Sequence, residues 1–243
     1  MSFSLWKACL GGNNVIPIRD ENPAGSPPHV TRLIIVVNVI VFFVVWLSDY
    51  VALLSGFKPP SLEVAVQKYG MIPINIMNGK QLYTVFTSMF MHGGIIHLGG
   101  NMLYLYIFGD NVEYAFGHGK YVFFYFLCGI VASITHIFSI TTTADLLIPT
   151  VGASGAISGV LGAYILLYPR ARVLTLVLFR FLYFTRIPAV FFLGFWFIFQ
   201  LLEGVLTLGL GVPSGVAYWA HIGGFIAGMV LGLTVRGRRK PRI

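Results

Sequence analysis

Gly152-Ala153-Ser154-Gly155 opens one apolar, glycine-rich stretch, and Ala220-His221-Ile222-Gly223-Gly224 opens another. Each is close to the length that crosses a bilayer, about 20 mostly apolar residues. A serine among small residues in one stretch and a histidine at matching depth in the other form the pattern of a nucleophile and its base. If the two meet, the chemistry lies below a membrane surface, and the fold must be one that buries such a pair in lipid.

Composition agrees with a membrane setting. The chain has 243 residues, of which 57% are hydrophobic and only 10% charged, and its mean hydropathy is +0.83. A soluble domain of this size carries far more charge. Two cysteines, Cys9 and Cys128, are too few for a disulfide framework. The first thirty residues carry Lys7, Arg19, Asp20 and Glu21 with several prolines and no apolar core, so no cleavable signal peptide is expected.

Six stretches qualify as spans: 32–50, 95–116, 121–140, 152–168, 188–208 and 216–235. Positive charge orients them. With both termini cytoplasmic, only Lys58, Lys68 and Lys80 of the sixteen basic residues fall outside. The net charge of +8 is thus read as a topology signal, with the basic tail at 236–243 near anionic lipid, and not as a nucleic-acid footprint. The division expected is an N-terminal cytoplasmic segment (1–31), a six-span domain (32–235) and that tail. The long outside connection, 51–94, mixes Gly56, Pro59, Pro60, Gly70 and Pro73 with apolar runs that suit the membrane interface. The inside stretch 173–184 is apolar but interrupted by Arg180, and reads as interfacial.

Depth arithmetic groups the polar residues. Ser154 is five residues past Pro149 and His221 five past Val216, which puts both roughly 7 Å below their helix starts. His97 and Asn101 lie near the outer end of the second span, four apart and on one helix face. Glycines at 152, 155, 159 and 162 and at 224, 228 and 232 allow the fourth and sixth spans to pack with backbones near contact. Attack by Ser154 on a carbonyl would create an oxyanion, for which the Asn101 amide, the His97 ring and the Ser154 backbone N–H are available donors. No carboxylate is placed to orient His221, so the arrangement is a dyad. Taken singly, an intramembrane serine is usually structural and a glycine-rich face usually packing, whereas an intramembrane histidine is a functional candidate.

These residues carry a resemblance. His92-x4-His97-x3-Asn101, Gly109-x3-Glu113-x3-Gly117, Gly152-Ala153-Ser154-Gly155 and Ala220-His221-x2-Gly224-x3-Gly228 stand in order and in register. Together they resemble the rhomboid intramembrane serine proteases. The N-terminal Ile16-Pro17-Ile18-Arg19-Asp20-Glu21-Asn22-Pro23 is similar to many bacterial members.

The resemblance implies an all-α membrane protein, a six-transmembrane-helix bundle with a long membrane-associated first outside loop. By it Ser154 is the nucleophile, His221 the general base, and His97, Asn101 and Gly152 the oxyanion and substrate-binding set. His92 matches a histidine at the active-site entrance. The activity implied is serine endopeptidase cleavage of single-span membrane-protein substrates, without cofactor or metal, in the lipid bilayer of a prokaryotic inner membrane. The aromatic run Phe191, Phe192, Phe195, Trp196 and Phe199 is either a lateral gate for substrate or a lipid-facing surface. Glu113 is expected to bond loop backbone at the inner surface. One departure stands out. In some bacterial members an aromatic residue four positions after the nucleophile packs on the catalytic histidine, and here that position is Ser158. Glu63 and Lys68 likewise give no match to a Trp-Arg pair in that subgroup's first loop. A zinc protease lacks its His-Glu-x-x-His spacing here, and a transporter would place its polar groups nearer the midplane.

Overall fold

The computed structural model describes residues 15–55, 61–178, 182–210 and 215–237. Cys9, Lys7, Lys58, Arg180 and the basic tail from 238 onward lie outside them. Nine α-helices are described: α1 (His29–Ser55), α2 (Leu62–Tyr69), α3 (Pro73–Met77), α4 (Thr84–Thr87), α5 (Ile95–Phe116), α6 (His118–Ser139), α7 (Ser154–Leu167), α8 (Ala189–Leu210) and α9 (Tyr218–Gly232). The protein is thus mostly helical, and four of its described helices (α1, α6, α8 and α9) are long and apolar enough to cross a membrane.

The expectation of an all-α chain needs one correction. Three strands, β1 (Val15–Asp20), β2 (Arg172–Leu178) and β3 (Leu182–Pro188), form an antiparallel sheet in the order β1-β2-β3. The described parts of the 173–184 stretch are therefore paired strand: β2 bonds to the N-terminal strand on one side and to β3, which leads into α8, on the other. Pro17, which has no N–H to give to a ladder, sits where the β1–β2 register shifts. The Arg186 Nε donates to Glu21 Oε1 across the sheet at 2.5 Å.

α7 is the centre of the bundle. It is only 14 residues long, about 21 Å, and every residue from Ala156 to Tyr164 is buried. Its glycines explain how it tolerates such crowding. A methyl group on Gly162 would lie 2.0 Å from the Phe225 carbonyl oxygen, and one on Gly228 of α9 would lie 1.8 Å from that of Gly159. The two helices thus touch backbone to backbone, as the small-residue spacing predicts. α5 packs on another side of α7 through Phe108, whose ring meets Tyr164 edge-on at 4.9 Å. α5 and α6 are joined by Gly117 alone, which has φ +77°, a conformation that suits glycine.

Glu113 ties α1 to α5. Its carboxylate accepts from the Val30 and Thr31 backbone N–H groups at 2.9 and 2.8 Å, from the Thr31 hydroxyl at 2.7 Å, and from His118 Nδ1. The otherwise open N–H groups of the first turn of α1 are capped by a side chain from another helix. This is the backbone-bonding role that the motif leads one to expect of Glu113.

The described part of the 51–94 connection folds into α2, α3, α4 and a 3-10 turn at Ser88–Phe90. It packs down onto the bundle: Met71, Met89 and Met91 are buried, and Met89 fills the space above Gly129 of α6. Met71 bridges to Thr150, and the Gly152 N–H donates to the Ser88 carbonyl at 2.9 Å. The connection therefore holds the backbone that leads into Ser154.

Candidate active site

Ser154 is the first residue of α7, delivered by residues 149–153. Gly152 makes the turn with φ +131°, in the region that disfavours side chains. His221 enters from the first turn of α9 and is buried. Because α7 and α9 run in backbone contact, the two side chains meet: Ser154 Oγ is 2.9 Å from His221 Nε2. A serine hydroxyl donating to an imidazole nitrogen at this distance is poised to lose its proton on attack.

His221 is held from its other side. Its Nδ1 lies 2.7 Å from Oε1 of Gln200 on α8, a fully buried side chain. The Trp196 indole, one turn earlier on α8, lies beside the imidazole with ring centroids 6.0 Å apart and planes tilted by 34°. Ser158 takes no part in this. It is buried and its hydroxyl bonds back to the Ser154 carbonyl at 2.7 Å. The aromatic support missing at position 158 is thus supplied by a different helix.

His97 and Asn101 lie one turn apart near the start of α5. The His97 ring abuts Gly152: a methyl group on Gly152 would lie 2.9 Å from His97 Cε1 and Nε2 and 3.6 Å from Ser154 Oγ. Gly152 therefore keeps open the space between His97 and the serine. Asn101 is buried and its Nδ2 has no partner among the described residues. An amide donor in that state has a hydrogen bond to give to an incoming oxygen. His92 is 1% exposed and lies against His97 with ring centroids 5.2 Å apart. Burial and the neighbouring His97 push its pKa down to about 3, so it is neutral over the physiological range.

The remaining aromatic residues of α8 divide by face. Phe191 and Phe195 are exposed, while Phe192 stacks toward Tyr104 and Phe108 of α5. Gln200 and the inward turn of Trp196 are what sequence reasoning missed. A signal for them existed, since Gln200 is a polar residue in an apolar 22-residue helix, and it lies four positions after Trp196, hence on one face.

A bundle of membrane-length helices around a part-buried serine–histidine contact defines the class: an integral membrane protein with the layout of a hydrolase. The family follows from comparison. The Rhomboid domain profile matches residues 79–238, and the chain belongs to the rhomboid family. That family contains protease-type hydrolases and also inactive members. The chain is 31% identical to RHOMBOID-like protein 6, mitochondrial, of Arabidopsis thaliana over 65% of its own length and 45% of the relative's. It is 28% identical to Rhomboid protease GluP of Bacillus subtilis over 89% of its length and 37% of the relative's. Inactive rhomboid protein 1 of Drosophila melanogaster is 30% identical over 40% of the chain and 7% of that protein. The chain spans less than half the length of each of these relatives.

Proposed function

We propose that this chain is an intramembrane serine endopeptidase that hydrolyses peptide bonds in or near the transmembrane segments of single-span membrane proteins. The observation that carries the reading is the 2.9 Å contact between Ser154 Oγ and His221 Nε2, made by residues from two different helices. In the mechanism, Ser154 Oγ attacks the scissile carbonyl while its proton passes to His221 Nε2. The resulting oxyanion is met by the Asn101 amide, the His97 ring and the Ser154 backbone N–H, in the space that Gly152 leaves open. Collapse expels the new amine, which takes the proton from His221. Water, activated by the same histidine, then releases the acyl group and regenerates the serine.

We take 32–235 as a six-span catalytic domain, with α5 and α7 crossing alongside the four helices that are long and apolar enough to span on their own. The cytoplasmic segment 1–31 and the basic tail 236–243 flank it, both termini are cytoplasmic, and the membrane is a prokaryotic inner membrane. Support for this orientation is the charge distribution, with only Lys58, Lys68 and Lys80 on the outer side. In it, the connection 51–94 is membrane-associated, and its exposed Met77, Leu82 and Phe86 are suited to the interface. Substrate helices must unwind to expose a carbonyl, so small or helix-weakening residues are favoured near the cut.

The test is labelling with a serine-reactive phosphonate in detergent or bilayer, beside cleavage of a single-span reporter. Wild type is expected to label and cut, and Ser154→Ala to do neither while retaining its melting behaviour. A Ser154→Ala protein that cuts at the wild-type rate overturns the assignment.

A further inference from the structure

The geometry points to Gln200 as the positioning residue for His221, so that the site works as a Ser154–His221–Gln200 relay of hydrogen bonds and not as an unsupported pair. This inference rests on the protease reading and deepens it. An imidazole can act as base toward Ser154 through Nε2 only if its proton sits on Nδ1, because the two ring nitrogens exchange donor and acceptor roles with the tautomer. Nδ1 lies 2.7 Å from the Gln200 carbonyl oxygen Oε1, which can only accept. That bond selects the Nδ1–H tautomer and leaves the Nε2 lone pair facing Ser154 Oγ at 2.9 Å. As His221 takes the serine proton, the same oxygen faces the imidazolium's Nδ1–H and stabilises the positive charge.

Three further observations fit this role. Gln200 is fully buried, so water does not compete for the Nδ1 proton. Trp196, one turn away on the same helix, lies beside the imidazole and limits its rotation. Among the described residues the Gln200 Nε2 has no partner, so the bond to His221 Nδ1 is the hydrogen bond described for this side chain. A neutral amide also suits a low-dielectric site better than a carboxylate, whose burial without a full set of partners is costly.

The relay makes α8 part of the chemistry. α7 and α9 are locked together by backbone contact, whereas α8 packs against both much more sparsely. Ser154 and His221 thus sit on the rigid pair, and the group that sets the histidine tautomer comes from the looser helix. Withdrawing α8 would leave the serine and histidine in place with the base no longer held in its working form.

The experiment combines 15N NMR of His221 with kinetics on the full chain. In wild type the His221 proton is expected on Nδ1, and in Gln200→Leu it is expected to redistribute toward Nε2. Reporter cleavage by Gln200→Leu should fall about 10- to 100-fold in kcat with KM unchanged, a part of the 10²–10⁴-fold that general-base catalysis supplies. Gln200→Glu keeps a carbonyl acceptor, so its cleavage should persist well above that of Gln200→Leu. A proton found on Nε2 in wild type overturns the proposal, as does a Gln200→Leu protein cutting within twofold of wild type. If Gln200→Leu does not fold, the wild-type tautomer alone decides, and a proton on Nε2 overturns the proposal. The NMR readout needs no turnover. Failure of the relay is therefore separable from failure of the protease reading, which phosphonate labelling of Ser154 reports independently.

Discussion

Gly152 shows how one missing side chain shapes the site. Its φ of +131° disfavours any L side chain, and a methyl group there would lie 2.9 Å from the His97 ring and 3.6 Å from Ser154 Oγ. Gly152→Ala is expected to push His97 away from the proposed oxyanion position while leaving the Ser154–His221 contact intact. Losing one oxyanion donor typically costs about 10²–10³ in kcat, so cleavage should fall by about that factor or somewhat less. Phosphonate labelling should slow along with it. An unaltered cleavage rate would remove His97 from the oxyanion set. At this scale the sequence was legible where small-residue and histidine motifs mark positions, as at Ser154, His221, His97 and Asn101. It was not legible at Gln200, because a glutamine on an apolar helix carries no motif. Its meaning comes only from the side chain that the fold puts opposite it.

The elements were read unevenly for a related reason. Helix 95–116 and the glycine faces of the fourth and sixth spans follow from local composition, and the structure has them within a few residues. The sheet does not follow from it. β1 pairs Val15 with Val177, more than 160 positions away, so neither strand looks complete by itself. Pro17 in one strand and a basic residue in the connection after the other obscured the pattern further. For the α7–α9 contact the structure makes a sharper statement than the spacing did, since a methyl group on Gly228 would lie 1.8 Å from the Gly159 carbonyl oxygen. Backbone cannot rotate away as a flexible side chain can, so Gly228→Ala must force the helices apart. Overpacking of this kind costs about 1–3 kcal/mol. It should lower the melting temperature and, by separating Ser154 from His221, reduce phosphonate labelling. Gly99→Ala is the control: nothing lies within 4 Å of the methyl group it adds, and as a helical Gly-to-Ala change it should hold or slightly raise the melting temperature. Equal melting of the two variants would count against the backbone contact.

At the scale of the whole molecule, the sheet is joined to the bundle by a buried polar cluster ten residues along α7 from Ser154, about 15 Å away. Asp20 at the end of β1 is its hub. Asp20 Oδ2 accepts from the Tyr164 hydroxyl of α7 at 2.6 Å and from the Asn111 amide of α5 at 2.8 Å. Asn111 in turn accepts from the Asn22 amide at 2.9 Å. Strand, α5 and α7 thus meet at one carboxyl group, beside an open cavity of about 600 Å³ whose lining includes Arg19, Arg32 and Asp110. Burial raises the Asp20 pKa from 3.8 to about 7, the Tyr164 hydrogen bond opposes the rise, and the Asp110 carboxylate adds to it. The direction fixes the pH dependence. A folded-state pKa above the unfolded value means that the folded form holds its proton longer, so the contribution is complete below about pH 3.8 and is lost as pH rises through 7. Asp20→Asn keeps an oxygen for Tyr164 and Asn111 and cannot titrate. The variant should therefore gain melting temperature over wild type progressively between pH 4.5 and 8, with the gap smallest at the acid end. A gap that stays constant across that range would mean that Asp20 is not the titrating hub of the joint. Groups away from Asp20 are common to both proteins and cancel in the difference, which leaves the carboxyl group at position 20, with the Asp110 carboxylate coupled to it, as the source of any widening.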